Sequence, residues 1–374
     1  MSFRVNVGDV RGYGTLVGRS AENAAACKDH LRSEATVGKG LASELWEMCS
    51  VEHEKFVDSG TQILEKIRAV MAAGSRELGN VAASYSGTEA GEAARLDATY
   101  ARPGGPAPSG GTGSGPSFAD RRDAVAELAE KGGGDGYLAG HVAEFEFTPV
   151  NKVVGTVLDL GSPSALINEA CKLFLGFDPY GELLKAIMGD WESYAACGAT
   201  WSRIGKACGA MADNVQGGNN TLATTWDGNA ADAAWAYFER FQGKLREVGR
   251  GFTELDAHYF EIAQFVFSLA EFLKAGLAFM VDRLLVALAL QVAATAAAST
   301  VVGAAGAAIG YAAAVAQVVI AIDKWAEMTA QLAQVSLALT GVLTAKSVII
   351  GTVTGVMQDF PEVGGAYDHP AATV

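Results

Sequence analysis

The chain has 374 residues, enough for two or three domains, and 50% of them are hydrophobic against 19% charged, so a large core can be buried. A net charge of -14 argues against nucleic acid as a partner, because phosphate-backbone binding needs clustered Lys and Arg. Five cysteines with no CxxC pair suggest neither a disulfide framework nor a zinc site.

The opening residues, MSFRVNVGDVRGYG, contain no apolar core and no cleavage site of a general-secretory signal peptide. From Val10 the apolar positions (Tyr13, Val17, Ala21, Ala24, Leu31) recur at helical spacing up to a break at Thr36–Gly40. A second helical pattern then runs from Leu41 through Trp46, Phe56, Ile63, Ile67, Met71 and Leu78 to Tyr85, so residues 1–102 predict a helical hairpin with a glycine-containing turn. His53-Glu54 falls on what reads as a solvated face of that second helix.

Residues 103–117 contain only Pro, Gly, Ala, Ser and Thr, and predict a flexible linker. Residues 118–189 predict short helices: a charged one over 118–131, ended by the glycine run 132–136, and an apolar pair over 153–188 after a short extended stretch at 141–149. The glycine run lacks the Lys-Ser/Thr of a phosphate loop and the strand–helix frame of a dinucleotide site.

Residues 190–275 predict a second, longer hairpin. The series Tyr194, Cys197, Trp201, Ile204, Cys208, Met211, Val215, Leu222 leads to Trp226-Asp227-Gly228. Ala234, Phe238, Phe241, Leu245, Val248, Phe252, Leu255, Tyr259, Ile262, Val266 and Leu269 follow. Steps of three and four average 3.5 residues, the repeat of a coiled-coil seam. Cys197 and Cys208 lie on one face roughly 16 Å apart along the axis, too far to bridge each other; a bridge to Cys171 or Cys27 stays open.

Residues 276–357 predict an apolar helical region, and 358–374 a flexible tail. Leu284–Ile322 spans 39 residues without a charge. Its length suits a transmembrane segment, whereas its alanine content and Gly303, Gly306 and Gly310 suit two tightly packed helices in a soluble core. Both readings stand at this stage. The fold class is therefore all-α, built of long antiparallel coiled-coil-like hairpins with an Ala/Gly-rich apolar region.

Catalytic signatures are missing. The five histidines (30, 53, 141, 258, 369) show no metal spacing, there is no G-x-S-x-G elbow, and the acids of the first hairpin follow a helix face. No catalytic residue, metal or cofactor is expected. Two short patterns stand out instead: Trp226-x-Gly228 at the turn, and Tyr85-Ser-Gly-Thr88-Glu89, followed by Ala93, Ala94 and Leu96, where the first hairpin runs out.

On these residues the chain resembles the type VII (ESX) secretion substrates of actinobacteria, some of them virulence-associated, which are helical hairpins with Trp-x-Gly at the turn. Residues 190–275 carry the turn. Residues 1–102 resemble the smaller EspC-like secreted proteins, with Tyr85, Thr88 and Glu89 at the positions of the Tyr-x-x-x-Asp/Glu export signal. Each hairpin lacks what the other has: the first has no Trp-x-Gly, and in the second Tyr259 is followed at plus four by Ala263. The resemblance implies export by a signal-peptide-independent route and recognition by the secretion ATPase through one composite surface. It implies either docking of the two hairpins within the chain, self-association, or a separate helical-hairpin partner. The alternative is a membrane-active effector that inserts the helices of 284–322.

Overall fold

The computed structural model describes residues 3–38, 43–88, 90–99, 118–129, 171–299 and 304–360. The expected linker at 103–117, the glycine run at 132–136, the extended stretch at 141–149, most of the expected tail, and Glu89 lie outside the described residues.

The all-α expectation holds. Helix α1 (Val7–Glu34) and helix α2 (Glu44–Ser86) form the first hairpin. Their starts are fixed locally: Asn6 Oδ1 accepts the Gly8 N–H and the Ser43 side chain accepts the Trp46 N–H, each satisfying a donor that the first helical turn leaves unpaired. Two short helices follow, α3 (Ala90–Asp97) and α4 (Ala124–Leu128). Of the apolar pair expected over 153–188, the described part holds a helical turn at 171–174 and helix α5 (Pro179–Ile187).

The second hairpin consists of α6 (Trp191–Leu222), capped by Asp190, and α7 (Asn229–Ala298), joined through strand β2 (Trp226–Asp227). Strand β2 pairs antiparallel with β1 (Arg4–Val5), Arg4 opposite Asp227 and Val5 opposite Trp226. The seam residues expected from the three-and-four spacing, from Tyr194 to Leu222 and from Ala234 to Leu269, are all buried. Fully burying a large apolar side chain stabilises by roughly 1.5–3 kcal/mol, so this seam supplies most of the drive that holds the hairpin closed.

Helix α7 runs through the expected division at 275/276 without a break. Gly276 packs against Met328 instead of ending a helix, and no proline interrupts the stretch. Helix α8 (Ala304–Gln358) is likewise one unbroken element. It returns along α7 in the most extensive packing between any two described elements, and its C-terminal half reaches α2. There Phe360 meets Phe241 with ring centroids 5.0 Å apart, and Lys66 Nζ donates to the Met357 carbonyl at 2.5 Å.

Helices α1, α2, α6, the first half of α7 and the last part of α8 thus form one bundle. The Trp226 turn closes one end. The end of α1 and the starts of α2 and α6 close the other, level with Tyr259 of α7. Beyond Tyr259, α7 continues for roughly 58 Å with α8 beside it. All five cysteines are buried and free, which closes the question of a bridge to Cys171 or Cys27.

Candidate functional site

The two sequence patterns singled out above meet at one end of the bundle. The Trp226 ring is buried and packs edge-on against Tyr85, centroids 6.4 Å apart with planes at 75°. Phe3 also packs against Tyr85, centroids 5.5 Å apart. Burial pushes the Tyr85 hydroxyl above its ordinary range, the nearby Asp97 carboxylate adds to that, and the Trp226 indole N–H partly offsets it. Thr88 folds back on its own helix end, its Oγ1 donating to the Ser84 carbonyl at 2.6 Å. Glu89 follows immediately and is outside the described residues.

A residue that sequence reasoning passed over ties the two patterns together. Asp97 ends α3, downstream of Tyr85, and its buried carboxylate accepts two backbone N–H groups at the start of α7. Asn229 donates to Oδ2 and Ala230 to Oδ1, each at 2.9 Å. It therefore caps a helix that begins more than a hundred residues later. A carboxylate there satisfies two orphan donors and meets the positive end of the helix dipole. Local capping rules look for such an acid just before the helix, so nothing in the sequence flagged one so distant.

Gly228 makes this capping geometry feasible for two reasons. Its φ of +140° is one that side-chain-bearing residues rarely adopt, and an added Cβ would sit 2.6 Å from Asp97 Oδ2. The glycine of Trp-x-Gly is thus required by the approach of the first hairpin's tail, beyond any need of the turn itself. Around it, the Arg4 guanidinium bonds Asp227 Oδ2 and the Thr224 carbonyl, and the Asn6 N–H donates to the Thr225 carbonyl. Arg11 Nη2 reaches Ser86 Oγ at 2.8 Å.

The far end of the bundle holds a second polar cluster, and it corrects one expectation. His53 is buried, at 2% exposure, instead of lying on a solvated face. Its Nε2–H donates to the Ala35 carbonyl at 3.1 Å, which leaves Nδ1 to accept from the Tyr259 hydroxyl at 2.7 Å. Burial lowers its pKa to about 4. The helical period placed His53 among polar neighbours, but α6 and α7 cover that edge of α2.

Lys346 of α8, 0% exposed, lies in the same cluster. Its Nζ donates to the Tyr194 hydroxyl at 3.0 Å and sits 3.1 Å from the centre of the Tyr259 ring. Burial holds its amine well below the usual lysine range. The adjacent Cys49 and Cys197 thiols are both pushed up to about 12 by burial. Closed to solvent, with protonated thiols, this cluster offers no exposed nucleophile. Among the described residues no group of His, Cys, Asp and Glu is placed to hold a metal ion.

Comparison with known protein families, characterised proteins and solved structures gave no match for this chain. The functional reading therefore rests on the geometry of the turn and of the segment docked on it.

Proposed function

We propose that the chain is a secreted substrate or structural component of a type VII secretion system, acting through helix-face recognition. In this reading Trp226 and Gly228 supply the turn element, and Tyr85, Thr88 and Glu89 the export signal. The secretion ATPase reads both as one surface. The observation that supports it is the seating of the Tyr85 segment on the Trp226 turn by the Asp97 carboxylate. Such docking fits the complementary halves: each hairpin lacks one pattern, and the other supplies it.

The first hairpin also packs along α6, the face that a separately encoded helical partner would need. On this reading the chain is a self-contained recognition unit. Joining the halves in one chain raises their effective concentration, so docking would not depend on a second gene product.

The test is export from the native host of a chain carrying Tyr85→Ala and Glu89→Ala. The expected result is loss from the culture filtrate with accumulation of folded protein in the cells. Undiminished secretion would remove the signal from the reading. Size-exclusion chromatography checks the intramolecular arrangement, where a monomer is expected.

A further inference from the structure

We propose that the apolar ends of α7 and α8, Leu284–Ala298 and Ala304–Ile322, form a bilayer-inserting element whose occupant is the hydrocarbon core of a lipid membrane. This goes beyond the secretion reading and does not rest on it.

The distribution of side chains in the tip is the reverse of that in the bundle. Small residues face the partner helix: Ala287 and Ala294 of α7 and Ala307, Ala314 and Ala321 of α8 are buried. The α8 residues recur at seven-residue steps, followed at the base by buried Met328. Gly310 lets the helices approach until an added Cβ would lie 2.9 Å from that of Ala294. Large residues face outward: Ile309 is 73% exposed, Val292 63% and Val315 62%, with Val286, Val319, Ile320 and Ile322 also exposed. Close approach through small residues, with branched apolar side chains outside, is how helices pack in lipid.

Polar groups of the tip turn toward one another. Thr295 and Tyr311 share a hydrogen bond across the helices at 3.0 Å, and Gln317 accepts from Arg283 Nη1 at 3.3 Å. The Gln291 side-chain oxygen is the exception, buried without a hydrogen-bond partner among the described residues.

Dimensions and charge point to the same occupant. The uncharged part of α7 measures roughly 22 Å and that of α8 roughly 28 Å. A bilayer core is about 30 Å thick. At the base the uncharged zone ends on both helices together, with Asp282 and Arg283 on α7 and Asp323, Lys324 and Glu327 on α8. Arg283 bonds Gln317, and Lys324 Nζ lies 5.0 Å from the centre of the Phe272 ring, so the charges form one belt where an interface would sit. By length and composition alone, both helices are apolar enough to cross a membrane. A patch of this size left in water would be unusual for a soluble monomer. The net charge of -14 disfavours anionic surfaces, which points to apolar insertion and not to headgroup attraction.

The experiment places a polarity-sensitive fluorophore at Val315→Cys, with Val51→Cys on α2 as the bundle control. The five native thiols are buried, so labelling goes to the introduced one. With phosphatidylcholine vesicles the expected result is a blue shift and quenching by a lipid-borne quencher at 315, and neither at 51. The double substitution Ile309→Asp and Val315→Asp should cut co-flotation at least tenfold while helical content and elution volume stay unchanged. Absence of co-flotation for the unsubstituted chain would overturn the proposal. So would a blue shift at 315 that appears without lipid and grows with protein concentration, which would assign the face to a second copy of the chain.

Discussion

The two halves of α7 obey opposite packing rules within one unbroken helix. From Ala234 to Leu269 the large apolar side chains point inward and are covered by α1, α2, α6 and α8. Beyond Leu284 the buried positions of α7 narrow to alanine, at Ala287 and Ala294, and Val286 and Val292 face outward. The difference shows that hydrophobicity alone does not define a core. Burial needs a neighbour to cover the side chain, and among the described residues the tip of α7 has α8 alone beside it.

Substitutions in the two halves should therefore differ most in solution stability. Phe252→Ala, at a fully buried seam position, is expected to cost about 3–5 kcal/mol in denaturant unfolding. A cost below that of a surface change would break the comparison. Acid should act on the bundle alone. Below pH 6.5 the unfolded chain binds a proton at His53 that the folded chain refuses until about pH 4. Stability is then lost as pH falls through that window, by up to roughly 3 kcal/mol. His53→Gln should flatten this dependence in denaturation series run between pH 7 and 4.

Loss of the distant cap is a smaller effect. Asp97→Ala should destabilise by about 1–2 kcal/mol and loosen the start of α7, seen as faster hydrogen exchange at Asn229 and Ala230. Smallest of all, Val315→Ala should change stability in water by less than about 0.5 kcal/mol, since that side chain is 62% exposed. A large loss there would mean the tip is held by protein contacts.

Much of this was legible in the sequence because helix and seam are periodic. Spacing of three and four located α1, α2, α6 and the first half of α7, and marked the Trp226 turn. The same periodicity misplaced His53: its own helix offers it a polar face, and only the packing of α6 and α7 buries it. It also passed over Asp97 and Lys346. A capping acid more than a hundred residues from its helix, and a lysine held between tyrosines of two other helices, leave no local pattern.

The uncharged length of Leu284–Ile322 was plain from composition, but which residues faced outward was not, because alanine suits a soluble core and a membrane interface alike. By itself the sequence determined the helices, their seams and the two short patterns at Tyr85 and Trp226, since these follow from neighbours three or four positions away. Only the tertiary structure decided that those patterns touch, that a distant carboxylate requires the glycine at 228, and that the tip wears its large side chains outside. Each of these depends on a partner helix that no local periodicity encodes.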